Sequence, residues 1–311
     1  MTRPTVTVLS GGLGGARVAR ALVAEGIEDR SSFVTNVGDD LEVDGLLVCP
    51  DTDAVLYALA GCFDEDRGWG VRDDKFSAGG EFLWFHVGER DRAYQAARAE
   101  LRGGALSLGD AVRCVAEELG ISATLAPVTD ALVRTFVTTE RGTVAWQEWL
   151  VRDGAWPEPS SVEYRGAASA AASAVALAAI RDADVLLIAP SSPVASIAPI
   201  LAIPGVVDAI ASRDRPAIAI SPHVMRRPPT ASRDIDRARV RGALLRAQGV
   251  AHEPAAIAAW YRDIAGVFVL DPVDAVEAPA VAAVGLEALV APEPLTTAAG
   301  LRSLVRVLTA H

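Results

Sequence analysis

Thr5-Val6-Thr7-Val8-Leu9 runs straight into Ser10-Gly11-Gly12-Leu13-Gly14-Gly15-Ala16-Arg17. The first five residues are β-branched or aliphatic and read as a short buried strand. Glycine then takes four of the five positions 11–15, and a helix is expected over Arg17–Glu25. Strand, glycine turn and helix form the opening half of a βαβ unit. The same rhythm continues outward. Ser32–Asn36, Val185–Ala189, Ala217–Ile220 and Gly266–Leu270 read as further short strands. Helical patterns occupy Asp51–Ala60, Val194–Ala202, Asp234–Ala247 and Thr296–Thr309. Alternating elements of this kind give an α/β fold with a doubly wound, mostly parallel, Rossmann-like sheet.

The middle of the chain departs from that rhythm. Asp91–Leu101 and Ser107–Leu119 read as helices, the second with Ser107 as N-cap and Asp110 three residues on. Arg134–Thr139 and Thr143–Val151 read as strands joined by a turn at Glu140-Arg141-Gly142. The expectation is one α/β domain over residues 1–311. A helical and hairpin insertion at 64–164 would form part of the substrate cleft. Gly166–Ile180 is mostly alanine and reads as a closely packed helix.

The chain has 311 residues, 51% of them hydrophobic and 22% charged, which is enough to build a large core. Its net charge of −11 argues against nucleic acid and against an anionic membrane surface as partners. The Ala-rich run is too short to span a bilayer, which needs ~20 residues. Val185–Val207 is long enough but is broken by Pro190, Pro193, Pro199 and Pro204. Cys49, Cys62 and Cys114 suit reduced, buried thiols better than a disulfide framework or a zinc site. Met1-Thr2-Arg3-Pro4 shows no secretory pattern, so a cytoplasmic setting is expected. The apolar fraction suits a homodimer.

The glycine loop is suited to close approach of an anion, with the helix behind it pointing N–H groups and its positive end at the ligand. It is neither common type. A dinucleotide fingerprint beginning at Gly12 needs glycine or alanine where Arg17 stands, and the Lys-Ser/Thr of a P-loop is missing. Thr35-Asn36-Val37-Gly38-Asp39-Asp40 follows the second strand, and Pro50-Asp51-Thr52-Asp53 opens a helix. Four carboxylates at the carboxyl end of a parallel sheet, beside a phosphate loop, suit Mg²⁺-assisted phosphoryl transfer. Taken singly, Asp51 or Thr52 can equally cap the helix, and Asp39-Asp40 can be a solvated turn. Pro190-Ser191-Ser192-Pro193 with Ser196 can bind a second phosphate or a base, or simply start a helix. Trp69, between Gly68 and Gly70, is placed to stack on a flat heterocycle. Core packing is the expectation for Trp84, Trp146, Trp149 and Trp260.

The segments Val6–Arg17, Asn36–Asp40, Cys49–Asp53, Arg67–Gly70, Pro190–Pro193 and Ser196–Gly205, in that order, resemble the CofD/FbiA family. Its members are 2-phospho-L-lactate or phosphoenolpyruvate transferases of coenzyme F420 biosynthesis. The resemblance implies a Mg²⁺-dependent attack by the ribityl hydroxyl of the deazaflavin Fo on a guanosine diphosphate adduct, with release of GMP. It further implies that Gly11, Gly12, Gly14, Gly15 and Arg17 hold the diphosphate, and that Asp39 and Asp51 hold the metal. Asp39, with Asp40 or Asp53, would then be catalytic, and Asp40 or Asp53 would orient or deprotonate the hydroxyl. Asn36 and Trp69 would border the deazaflavin, and Ser191, Ser192 and Ser196 the nucleotide. Ser192 stands where the family has asparagine. His223–Thr230, with Arg226 and Arg227, replaces a glycine-rich stretch.

Other readings predict different behaviour. A non-catalytic binder of nucleotides or nucleotide sugars would hold its ligand equally well in chelator. A divergent paralogue would use another phospho-acid donor or another acceptor. An NAD-type oxidoreductase is disfavoured by Arg17.

Overall fold

A computed structural model describes residues 3–76, 84–222 and 232–309. The strands are β1 (Val6–Ser10), β2 (Ser31–Thr35), β3 (Leu41–Val43), β4 (Leu46–Val48), β5 (Thr124–Pro127), β6 (Arg134–Thr139), β7 (Gly142–Ala145), β8 (Ser161–Arg165), β9 (Val185–Ile188), β10 (Ala217–Ile220), β11 (Ala265–Leu270) and β12 (Glu287–Val290). Seven of them form one sheet in the order β12-β11-β10-β9-β1-β2-β5. Every pairing in it is parallel. This is the expected doubly wound, Rossmann-like sheet. The central strand β1 pairs Val8 with Phe33 of β2 on one side and with Leu187 of β9 on the other. All of β1 is buried, which is why it reads as an uninterrupted apolar run rather than an alternating one. Within it, Thr7 Oγ1 donates to the Ala179 carbonyl at 2.7 Å.

Helices α1 (Gly12–Ala24) and α2 (Pro50–Leu59) pack against each other. The chain continues through α3 (Glu89–Gly103), α4 (Leu108–Glu118) and α5 (Ala174–Asp182). Ser107 caps α4 as expected, accepting from Asp110 N at 3.1 Å. Strands β7-β6-β8 form a small antiparallel sheet. It is tied to the turn after β2 by Thr135 N donating to Gly38 O at 2.6 Å.

The structure corrects several boundaries. The interval 64–164 is not one continuous insertion, because β5 lies inside it and returns to the central sheet beside β2. The strand expected over Thr143–Val151 stops at Ala145, and a π-helical turn, Glu148–Arg152, follows. That turn buries Trp149, whose Nε1 donates to Pro157 O at 2.8 Å. The alanine run becomes regular helix only at Ala174, after Ser173 caps it through Ala176 N. Among the described residues, no helix is long and apolar enough to cross a membrane. His223–Thr230, and with it Arg226 and Arg227, lies outside the described residues.

Candidate active site

From β1 the sheet grows one way through β2 and β5, and the other way through β9 to β12. The loops after β1 and β9 therefore diverge at a topological switch point, where open α/β sheets form their ligand crevice. A cavity of about 920 Å³ opens there. Gly11, Gly12, Gly14, Arg17, Asp39, Asp51, Asp53, Trp69, Ser191, Ser192 and Ser196 all line it. Three residues expected at the site do not, namely Gly15, Asn36 and Asp40.

The glycines act first on packing. A β-carbon on Gly11 would collide with the Asp51 carboxylate, and one on Gly14 with the Pro190 carbonyl. Gly12, at φ +52°, has the left-handed backbone that glycine tolerates best. Gly15 faces away from the cavity. A β-carbon there would stand 2.7 Å from Ser10 Cβ, so Gly15 permits close contact of α1 with β1. Ser191 ties the two loops together. Its Oγ donates to Gly11 O at 2.6 Å and accepts from Gly11 N at 3.3 Å. Ser192 is the N-cap of the next turn, accepting from Ala195 N at 3.2 Å.

Asp39 and Asp51 meet across Asn36, which lies behind the wall instead of bordering a ligand. Asn36 Nδ2 donates to Asp39 Oδ1 at 2.9 Å, to Asp51 Oδ2 at 3.0 Å and to Ala195 O at 3.2 Å. Its Oδ1 accepts from Gly38 N at 2.7 Å. Burial, then the Asp51 and Asp40 charges, push Asp39 well above the usual carboxylate range. Burial pushes Asp51 up to about 6, against the pull of hydrogen bonds from Asn36, Gly12 N and Ser196. Gln147 Nε2 stands 3.5 Å from Asp39 Oδ2.

Asp40 and Asp53 differ from their expected roles. Asp40 is buried behind the wall, hydrogen-bonded to Cys49, and burial pushes it up to about 8. Asp53 reaches the cavity but is engaged by Arg98, which is only 2% exposed. Arg98 Nη1 meets Asp53 Oδ1, Nη2 lies 3.2 Å from Oδ2, and Nη2 also donates to Leu47 O at 2.8 Å. Both oxygens of Asp53 are thereby occupied, Oδ2 also by Cys49 N at 3.1 Å.

On the opposite wall Trp69 is 41% exposed, with Phe76 edge-on at 5.7 Å and the Arg67 guanidinium 5.0 Å from its ring centre. Trp84, expected in the core, lines the cavity; Trp146 is buried in the core as expected and also lines the cavity, and Trp149 and Trp260 pack with the core. Sequence reasoning missed Asp91, Tyr57 and Gln147, and the arginines of helix Ser232–Ala247. Arg237, Arg239 and Arg241 alternate in sequence and all line the cavity. Arg239 is anchored on the Gly154 and Ala155 carbonyls at 3.0 Å. Among the described residues, no group of three or more His, Cys, Asp or Glu side chains is placed to hold a metal. Mg²⁺ does not need one, since it commonly takes one or two carboxylates and completes its shell with water and phosphate oxygens.

By architecture this is a Rossmann-like α/β protein with its crevice at the switch point and, beside a glycine loop, two buried carboxylates that form no ion pair among the described residues. A family model described as 2-phospho-L-lactate transferase CofD matches residues 6–257, and the chain belongs to that family. It is 35% identical over 285 residues to a 2-phospho-L-lactate transferase of Methanopyrus kandleri, covering 88% of each chain. It is 37% identical over 229 residues to a phosphoenolpyruvate transferase of Kitasatospora aureofaciens, covering 70% of this chain and 71% of that one. A crystal structure of a UPF0052 family protein from Bacillus halodurans superimposes with a TM-score of 0.62 at 18% identity, covering 93% of each chain, which bears on the fold alone.

Proposed function

We propose that this protein transfers a phospholactyl or phosphoenolpyruvyl unit from a guanosine diphosphate adduct to the terminal ribityl hydroxyl of the deazaflavin Fo, releasing GMP in coenzyme F420 biosynthesis. Family membership supports the reaction class. The observation that carries the reading is the Asp39–Asn36–Asp51 bridge against the glycine loop. The hydroxyl oxygen forms a bond to the phosphorus that bears the acid. The bond from that phosphorus to the bridging oxygen breaks, and its electron pair leaves with GMP.

Asp39 and Asp51 fit a divalent cation. They are buried together, share one amide donor and form no ion pair among the described residues; Arg134 pulls on Asp39 only weakly, and the Asp51 charge raises the cost of charging it. When bound there, Mg²⁺ would neutralise charge on the diphosphate oxygens. The chain's own residues supply position. The glycine loop and the start of α1 admit the diphosphate, Arg17 faces it, and the aromatic wall at Trp69 receives the ring system. Arg237, Arg239 and Arg241 offer positive charge to the donor acid. A loose phosphoryl-transfer transition state asks little of a base, so neither Asp40 nor Asp53 is needed as one. The hydroxyl proton goes to solvent or to a phosphate oxygen.

The test is mass spectrometry after incubation with Fo and the guanosine diphosphate adducts of lactate and enolpyruvate, in Mg²⁺ or in chelator. GMP and the phospho-acid deazaflavin are expected in equal amounts, and only with Mg²⁺. No product from either donor would end the proposal. Nucleotide binding that is indifferent to chelator, without turnover, would point to a regulator.

A further inference from the structure

Asp91 faces the same cavity and has no part in the scheme above. It lies in the first turn of α3 and is 7% exposed. Its Oδ1 accepts from Tyr57 Oη at 2.5 Å and from Gln95 Nε2 at 2.8 Å. Its backbone N donates to Asp74 Oδ2 at 3.0 Å. These bonds fix the carboxyl and leave Oδ2 without a partner among the described residues. Oδ2 lies beside Gly70, where a β-carbon would stand 3.7 Å away. Gly70, at φ +71°, lines the cavity next to Trp69. Oδ2 is thus the acceptor that the carboxyl keeps toward the cavity, and a ligand donor arriving there gains a charge-assisted hydrogen bond. Beside it, Trp69 offers an exposed, braced aromatic face for a flat ring.

We propose that Asp91 Oδ2 accepts a hydrogen bond from the ring N–H of the flat heterocycle that packs at Trp69, and thereby selects the acceptor substrate. This rests on the deazaflavin reading given above. In a deazaflavin the only ring N–H is N3–H, between two carbonyl groups. With Oδ1 already accepting twice, one oxygen remains for that one donor. Asp91 is thus a specificity-determining residue, remote from the phosphorus that reacts.

The experiment titrates wild type and Asp91→Asn with Fo, with N3-methyl Fo and with GDP, following ring fluorescence for the first two and calorimetry for the third, at pH 8. Asparagine keeps an oxygen for Tyr57 and Gln95 and turns its amide NH₂, a donor, toward the cavity. Wild type is expected to bind N3-methyl Fo about tenfold or more weakly than Fo. In Asp91→Asn, Fo affinity falls by a similar factor, the discrimination between the two rings collapses, and GDP affinity is unchanged. A purely steric block by the methyl group would persist in the variant and would overturn the assignment. So would a variant that loses GDP instead of Fo. If wild type binds Fo and accepts the methylated ring equally well, the inference fails while the deazaflavin reading survives. If wild type binds no Fo at all, the deazaflavin reading itself fails.

Discussion

Asp51 and Asp53 stand two residues apart in the first turn of one helix, both buried, and the fold treats them in opposite ways. Asp53 is matched by Arg98 from α3. Asp51 is matched by no cation among the described residues. It receives amide, backbone and hydroxyl donors and is set against a second carboxylate, Asp39. The Asp53 pair closes its own charge and braces α2 against α3. The Asp39–Asp51 pair forms no ion pair among the described residues and keeps charge that a cation entering the cavity can balance. Charge is compensated internally where the structure must hold and left open where a ligand must arrive.

Breaking the closed pair should have the largest effect on stability. Arg98→Met strands Asp53 in the interior, and a loss of about 3–5 kcal/mol is expected, read by urea unfolding. Removing Asp39 should leave the fold intact and stop the chemistry. Asp39→Asn is expected to lower turnover by about 10²–10³ with an unchanged or raised melting temperature, since it relieves repulsion. Mg²⁺ added at about 100 times its Kd should stabilise wild type by about 2.7 kcal/mol, and Asp51→Asn should abolish that shift in a thermal melt. A flat response of wild type would mean that the open pair is not a cation site.

The smallest effect should be a pH dependence. Asp51, lifted to about 6 from 3.8, binds protons more tightly in the folded chain than in the unfolded one. Its ionisation therefore costs stability progressively as pH rises from about 4 to about 6, and its contribution is flat above that. In chelator, Asp51→Asn should weaken this decline relative to wild type. Mg²⁺ affinity should rise over the same interval as the ligand loses its proton. Melting curves at half-unit pH steps, with and without Mg²⁺, would measure both.

Five strands of the central sheet, β1, β2, β9, β10 and β11, were legible because they run as short apolar stretches broken by turn residues; the edge strand β12 was not, and its side chains are half or fully exposed. Strand β5 was not, since Thr124-Leu125-Ala126-Pro127 carries little β signal and pairs only through tertiary context with β2. Thr143–Val151 has strand composition, but burial of Trp149 in a helical turn overrides it. At the site, the glycine loop and the aspartates were legible because strand ends fix their place. The role of Asn36 was hidden, because a bridge between two carboxylates exists only once the loops meet. Helix α3 reads as polar all round, and nothing local marks Arg98 as buried when its partner lies 45 residues earlier. Asp91 was hidden by the same polarity.

The reciprocal hydrogen bonds between Ser191 and Gly11 stitch the strand-end loops on either side of the switch point into a single plate. Neither loop can lengthen, shorten or swing without dragging the other. Diversification toward new donors or acceptors is thereby channelled to the walls facing that plate, the tryptophan loop and the arginine-bearing helix, where a residue can change without unpicking the seam.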